Sequence, residues 1–230
     1  MVISHEHRFI FIKTKKTAGT SLEVLFSALC GPGDVLTPII PPVDAHRPRN
    51  WEGFWNPLPE LADRHWRGAR TVLRRVLARE RFYNHMSARL VRARVPRRVW
   101  SGYYKFCVER NPWDKTISHY FMRRHRAGGD LTLEQYFAAG DFCLNHPLYT
   151  DARGGLMVDE VIHFESLAEG LRGVLGRVGV PFDGTLPRVK TEHRPEAAPR
   201  LSAEQKEIVR RAFAREIELH GYREPAGAQR

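Results

Sequence analysis

The feature that most constrains this fold is a strand-like run, a polar loop and a helix start, all near the N-terminus. Residues 9–12 (Phe-Ile-Phe-Ile) are apolar, and a helical pattern over residues 20–29 ends at the Gly31-Pro32-Gly33 stop signal. In α/β proteins, a loop between such elements binds phosphate. It does so because unpaired N–H groups and the positive end of the helix dipole face the anion.

The loop supplies cations, hydroxyls and small residues to such an anion. The candidate binding residues are Lys13, Lys15, Lys16, Thr17, Ala18, Gly19, Thr20 and Ser21. Nucleoside triphosphatases use G-x-x-x-x-G-K-[ST], whose Lys reaches the β- and γ-phosphates. Here Thr14 stands at the first Gly position and Thr20 replaces that Lys. The loop therefore suits a 5′-phosphate better than a β,γ-phosphate pair with magnesium. The alternative interpretation is an ordinary helix start capped by Thr or Ser.

Length and composition indicate an ordinary globular protein. With 230 residues, 42% hydrophobic and 27% charged, the chain can bury a substantial core. No apolar run approaches the ~20 residues of a membrane span, and no signal peptide is recognisable. We therefore expect a cytoplasmic protein. Three widely spaced cysteines (Cys30, Cys107 and Cys143) favour buried, reduced thiols over a disulfide framework or a metal site.

The net charge of +11 is concentrated in one segment. Residues 64–98 contain twelve arginines and one acid, Glu80, so the rest of the chain is close to neutral. Such a segment suggests an anionic ligand, although a solvated helix face is an equally good interpretation. Aromatic residues are interleaved, but no nucleic-acid module signature is present, and we expect no nucleic-acid partner.

Strands separated by helices predict the fold class. Further strands are expected at residues 103–109 and 158–164, with helices after each, and a long helix at 203–220. Capping boxes are expected at Thr132, Ser166 and Ser202. This order predicts a three-layer α/β domain with a central, mostly parallel sheet. We expect a single domain over residues 1–225, with an irregular loop at 35–66 and a disordered tail at 226–230.

A second strand–turn–helix motif lies at residues 106–120. Arg110 stands at the strand's end, where ligands of open α/β sheets gather. Pro112 suits the start of a helix, and Ser118 falls about two turns after Arg110. An Arg fork with a Ser hydroxyl is a good clamp for a terminal phosphate. Standing alone, the motif would be better explained by an Arg capping a strand and a Ser on a helix face.

Together the two motifs resemble those of sulfotransferases that use 3′-phosphoadenosine 5′-phosphosulfate (PAPS). The matching residues are Lys-Thr-Ala-Gly-Thr-Ser (16–21) and Arg-Asn-Pro-Trp-Asp-Lys-x-x-Ser-x-Tyr (110–120). The carbohydrate-modifying branch is the most similar, with further likeness at residues 83–88, 158–167 and the closing helix. The resemblance covers most of the chain, in the right order. It implies a P-loop-like fold in which the first motif binds the 5′-phosphosulfate and the second binds the 3′-phosphate.

The resemblance also implies roles for individual residues. Lys16 would stabilise the charge on the leaving oxygen, and His85 would be the general base, with Glu80 or Glu109 as alternatives. Lys190 and Arg194 occupy the place of a loop that closes over the 3′-phosphate, but the Gly-rich form of that loop is missing. The implied acceptor is a hydroxyl of a carbohydrate or glycoconjugate, without a metal. The rival functions are a P-loop kinase and a non-enzymatic polyanion-binding protein.

Overall fold

The computed structural model describes residues 1–62, 66–187, 189 and 199–225, with only the backbone for residues 66 and 67. Lys190, Arg194, the first two residues of the Arg-rich segment and the tail at 226–230 lie outside the described residues. The expectation of a single domain over 1–225 stays a prediction.

One mixed sheet forms the centre of the described chain. Its strands are β1 (Val2–Ser4), β2 (Phe9–Ile12), β3 (Val35–Leu36), β4 (Tyr104–Glu109) and β5 (Glu160–His163). Their order across the sheet is β3-β1-β2-β4-β5. β2, β4 and β5 run parallel, whereas β1 is antiparallel to both β2 and β3. The α/β class is confirmed, but two of these four pairings are antiparallel, so the sheet is mixed.

The helices cover both faces of this sheet. In chain order, α1 to α11 span Gly19–Leu29, Leu58–Ala62, Trp66–Leu77, Ala88–Arg94, Arg97–Gly102, Pro112–Arg126, Leu133–Ala139, His146–Tyr149, Leu167–Arg177, Ala203–Ala212 and Ala214–His220. A 3₁₀ turn at Phe164–Ser166 precedes α9. No helix in the described ranges has both the length and the apolar character needed to cross a membrane.

Alternating strand residues divide the core into two layers. Ile10, Ile12 and Cys107 face one hydrophobic cluster, which also contains Met86. Phe9 and Phe11 face the other cluster, with Phe106 of β4 and Phe26 of α1. This alternation follows from the period of two along a strand. The central strands are therefore buried on both faces, which fixes the positions of their ends.

Three local expectations need correction. The 35–66 segment is not wholly irregular, because it contains β3, α2 and the first residue of α3. The expected helix at 203–220 is divided at Phe213, whose side chain is buried in a third apolar cluster with Trp113. Ser166 precedes α9 but makes no side-chain cap, whereas the Thr132 and Ser202 capping boxes are both present.

Candidate functional site

The three parallel strands β2, β4 and β5 end on the same side of the sheet, and the loop or turn of each sequence motif begins at one of these strand ends. Cα pairing joins Ile12 of β2 to Cys107 of β4, and Glu109 of β4 to His163 of β5. The lysine loop (residues 13–18) follows β2, and the Arg110 turn follows β4. The Thr14 hydroxyl donates to the carbonyl oxygen of Val108, which joins the loop directly to the end of β4. The two motifs are therefore neighbours.

The lysine loop has an unusual backbone for residues with side chains. Lys16 and Ala18 have φ angles of 63° and 58°, in the left-handed region that non-glycine residues seldom adopt. Ala18 is the N-cap of α1, and no side chain caps the helix start. The interpretation of an ordinary Thr or Ser cap is therefore wrong. The turn leaves the first amides of α1 without a side-chain acceptor, and such N–H groups favour an anion.

The loop hydroxyls have different environments. Thr14 and Thr17 are buried, with 2.8 Å between their hydroxyl oxygens, and the Thr17 hydroxyl also donates to the Thr14 carbonyl at 3.3 Å. These groups hold the loop together from inside. Ser21 is also buried, whereas Thr20 is partly exposed on the first turn of α1. Thr20 is the hydroxyl best placed to meet a ligand.

The three lysines also differ. Lys13 is buried, and its ammonium lies 2.5 Å from a carboxylate oxygen of Glu23. Burial alone would raise the pKa of Glu23, but the Met1 amine and Lys13 hold that pKa below its usual value. The Lys13 stem runs under Gly19, where a Cβ would lie 2.8 Å from Cε of Lys13. Lys13 thus supports the loop, while Lys15 is exposed and Lys16 is partly exposed.

His85 reaches the lysine loop from a separate segment. Its Nδ1 lies 3.1 Å from the carbonyl oxygen of Lys13, and its own φ is 57°. Since a carbonyl only accepts, Nδ1 of the neutral ring is the donor and Nε2 keeps a lone pair. Burial, followed by the charge of Lys13, lowers the pKa of His85 to about 3. The ring is therefore neutral at physiological pH, and in this environment it is a weaker base than an ordinary histidine.

The Arg110 turn is held on both sides. The Arg110 guanidinium lies over the ring of Phe164, 4.4 Å from its centroid, just after β5. The Asn111 side chain accepts from the Trp113 N–H at 3.2 Å and caps α6, with Pro112 in its first turn as predicted. Ser118 is partly exposed and lies on α6, two turns further on. The turn thus places a cation at the edge where the lysine loop begins.

Asn145 is a site residue that the sequence did not reveal. Its Oδ1 accepts from the Lys15 N–H at 2.9 Å, and its Nδ2 donates to the Lys15 carbonyl at 3.0 Å. The side chain is fully buried and pairs with the loop as another peptide group would. Its Nδ2 also lies 3.1 Å from Oε1 of Glu109. No local pattern indicates this role, because the two partners are 130 positions apart.

Glu109 is the centre of a buried polar network. It accepts from the Lys115 ammonium at 2.7 Å and from the Tyr149 hydroxyl at 2.9 Å, in addition to Asn145. These buried bonds engage both carboxylate oxygens of Glu109, so it serves the packing of the strand end and makes a weaker candidate for the general base than His85. Glu80 pairs with Arg75 at the end of α3 instead, 3.4 Å between Oε2 and Nε. Of the three candidate bases, His85 is the one that contacts the loop.

A second histidine, His119, lies within the electrostatic reach of the loop. Its Nδ1 is 2.9 Å from the Tyr136 hydroxyl oxygen, and the side chain is buried in α6. Burial, followed by the Lys16 charge, lowers the pKa of His119 to about 4. The sequence did not single out this residue, although it directly follows Ser118.

The opposite edge of the sheet carries different features. A shallow groove of about 540 Å³ lies at the amino ends of the parallel strands, lined by Arg8, Tyr104 and Arg177 among others. Neither motif contributes to that groove. Among the residues with described positions, no group of three or more His, Cys, Asp and Glu side chains could hold a metal ion.

Comparison with known proteins gives a relative without a known function. An uncharacterized protein from Archaeoglobus fulgidus is 33% identical to this chain over an alignment of 101 residues; the match covers 42% of this chain and 84% of the archaeal protein. No protein-family profile matches the chain, and no solved structure matches it. Because the similarity extends over most of the archaeal protein, the chain belongs to the same family as this uncharacterized protein.

Proposed function

We propose that this chain is a sulfotransferase that moves the sulfuryl group from PAPS to an acceptor hydroxyl, within a P-loop-like arrangement. The observation that carries the proposal is the meeting of the lysine loop, with its uncapped helix start, and the Arg110 turn on adjacent strand ends. PAPS carries a 5′-phosphosulfate and a 3′-phosphate, so two anion sites side by side suit it.

The donor fits this loop better than a nucleoside triphosphate does. The loop lacks a lysine directly before the helix hydroxyls, and Lys13 is engaged with Glu23 beneath the loop. The proposal assigns the 5′-phosphate to the amides at the start of α1, together with Thr20. It assigns the 3′-phosphate to Arg110 and Ser118.

The reaction would be an in-line displacement at sulfur. The acceptor oxygen forms a bond to sulfur while the bond between sulfur and the bridging oxygen breaks, releasing adenosine 3′,5′-bisphosphate. The acceptor proton passes to Nε2 of His85, whose Nδ1–H is anchored on the Lys13 carbonyl. Lys16 stabilises the charge that grows on the bridging oxygen, which is larger in the transition state than in the ground state.

The expected acceptor is a carbohydrate or glycoconjugate hydroxyl, and the expected location is the cytoplasm. The acceptor class rests on the likeness of the motifs to the carbohydrate-modifying branch. The location is supported by the cysteines, since Cys30, Cys107 and Cys143 are all free and buried.

A thermal-shift titration tests the donor class before any acceptor is known. Adenosine 3′,5′-bisphosphate should raise the melting temperature, whereas ADP and ATP, with or without magnesium, should have much smaller effects. Arg110→Ala should weaken the bisphosphate effect at least tenfold in ligand concentration. The exposed Arg211 on α10 provides the matched control, Arg211→Ala. A larger shift with magnesium–ATP than with the bisphosphate would contradict the proposal and favour a kinase.

A further inference from the structure

The exposed apolar side chains of this protein are concentrated in one short segment. Eight large hydrophobic residues are exposed in the described ranges, and six of them lie between positions 54 and 77. These six are Phe54, Leu58, Leu61, Leu73, Val76 and Leu77, of which Phe54 and Leu77 are 81% and 77% exposed. Exposed apolar side chains that lie together on a surface mark an interaction site.

Exposed arginines interrupt the same surface. Arg70, Leu73, Arg74 and Leu77 follow a spacing of three, one and three along α3, so they share one stripe of the helix. The guanidinium of Arg79 lies over the Phe54 ring, 4.7 Å from its centroid. We call these nine residues (the six apolar residues with Arg70, Arg74 and Arg79) the α2–α3 patch.

Two acids next to the patch, Glu60 and Glu80, pair with arginines that lie outside it. Glu60 is the buried residue of α2, where it bonds Arg94 and its Oε1 accepts from the Arg75 guanidinium at 2.6 Å. Glu80 is turned to Arg75 as well. These ion pairs consume Arg75 and Arg94 and leave Arg70, Arg74 and Arg79 on the outer face. The patch therefore presents apolar groups and positive charge together.

We infer that the α2–α3 patch docks the protein on the surface of an anionic membrane. A basic amphipathic helix with Leu and Val between arginines matches the lipid interface, where apolar groups enter the acyl boundary and cations meet anionic headgroups. A nucleic acid would meet the arginines but leave Leu73 and Leu77 unused. The mixed character of the stripe thus favours a lipid surface over other polyanions.

The patch is firmly connected to the segment that carries His85. The Tyr83 hydroxyl donates to Glu60 at 3.1 Å, and the Arg75 guanidinium lies 3.5 Å from the Tyr83 ring centroid. Tyr83 is two residues before His85. Docking on a membrane would also suit an acceptor that the membrane carries. That last step alone rests on the proposed function; the docking does not.

Vesicle co-sedimentation of the full chain tests the inference. The wild-type protein should pellet with vesicles that contain phosphatidylglycerol, should not pellet with pure phosphatidylcholine, and should be released by high salt. The double substitution Leu73→Gln with Leu77→Gln removes apolar groups and keeps the charge. Arg70→Gln with Arg74→Gln does the reverse. Each pair should weaken vesicle binding at least tenfold, since both contributions are needed.

The matched control lies away from the patch. Leu156→Gln with Arg211→Gln changes an exposed leucine and an exposed arginine elsewhere, and it should leave vesicle binding unchanged. Wild-type protein that stays in the supernatant with anionic vesicles would overturn the inference. Two other results would overturn it as well. One is binding to a DNA duplex that is as tight as binding to vesicles and is unchanged in the Leu73→Gln, Leu77→Gln variant. The other is a wild-type dimer that becomes a monomer in that variant while neither protein binds vesicles. A thermal-shift titration of the same variants with adenosine 3′,5′-bisphosphate tests nucleotide binding separately from membrane binding.

Discussion

His85 combines a strained backbone with a ring kept neutral by its surroundings. Its φ of 57° is uncommon for a side chain of this size, and the buried neighbours Phe82, Tyr83 and Met86 hold the segment in place. Because Lys13 and Lys15 contribute to the low pKa, an anion bound beside these lysines would raise the pKa of His85. Donor binding would thereby make the ring a better proton acceptor.

Replacing His85 with asparagine tests its role at little cost to the fold, since asparagine tolerates a positive φ better than most residues do. His85→Asn should lower turnover by about 100-fold or more, as expected for loss of a general base. Its affinity for adenosine 3′,5′-bisphosphate, measured by calorimetry, should stay within about twofold of wild type. His125→Asn, at the exposed end of α6, is the control. Near wild-type turnover of His85→Asn would remove His85 from the mechanism.

Lys16 is the first residue of the loop with a left-handed backbone conformation. Its proposed role is to stabilise the negative charge that grows on the leaving oxygen. Lys16→Ala should cut turnover by about two orders of magnitude or more, because the lost cation acts mainly in the transition state. Initial rates with saturating PAPS provide the measurement. Lys206, on α10, pairs with Glu224 at the surface, and the control Lys206→Ala should leave turnover unchanged. Equal rates for both variants would contradict the assignment.

At the scale of elements, the lysine loop depends on α8 as much as on its own sequence. Asn145 is the N-cap of α8 and binds both polar backbone groups of Lys15, while its own N–H donates to Glu216 of α11 at 3.0 Å. The loop is therefore held by an element more than a hundred residues away. Removing this side chain should disturb ligand binding as well as stability.

Asn145→Ala should lower stability by about 1–3 kcal/mol, because it removes both bonds to the Lys15 backbone and one donor to the buried Glu109, and should weaken bisphosphate binding about tenfold or more. Urea unfolding and calorimetry give the two values. Asn50 is a fair comparison, since its Nδ2 also donates to two backbone carbonyls, of Pro32 and Asp34, beyond the far end of α1. Asn50→Ala should cost stability but leave bisphosphate affinity intact. Unaltered affinity in Asn145→Ala would mean that the loop does not need this bond.

The sequence predicts the long, strongly patterned elements and misses the short ones. Strands β2, β4 and β5 and helices α1 and α6 lie close to their expected positions, because apolar runs and turn signals bound them. β1 and β3 have only three and two residues, too few for a visible period. Their antiparallel pairing is set by contact with β2 and with each other, which no local pattern records.

At the scale of the whole molecule, the protonation of buried groups predicts a loss of stability in acid. Burial lowers the pKa of His85 to about 3, of His119 to about 4, and also that of His220. In the unfolded chain these rings take up protons near pH 6.5, before the folded protein does. The unfolded state therefore binds more protons below that pH, and stability falls as the pH falls. The lowered pKa of Glu23 acts in the same direction at lower pH.

Urea unfolding at several pH values between 7 and 4 measures this loss. The free energy of unfolding should decrease steadily below about pH 6.5. His85→Asn should reduce the slope by up to about 1.4 kcal/mol per pH unit, the contribution of one proton. A wild-type protein that is equally stable at pH 7 and pH 5 would contradict the burial of these rings.

Only those residues of the candidate site that stand in a local sequence motif could be predicted. Lys16, Gly19 and Arg110 stand in motifs that the sequence displays, and parallel pairing brings those motifs together. Asn145 and His119 depend on contacts between distant segments, so no motif includes them. The charge of the Arg-rich segment is visible in the sequence. Which of its arginines are buried in ion pairs and which point outward is decided by the packing of α2 against α3.

The narrow space under Gly19 has a consequence for how this loop can change. The glycine is required by the stem of Lys13, which the bond to Glu23 holds beneath the loop. Any side chain at position 19 must first displace that lysine, which leaves the buried Glu23 with the Met1 amine and the Thr37 hydroxyl. Substitutions at positions 13, 19 and 23 are therefore coupled, and a redesigned loop would have to exchange all three together.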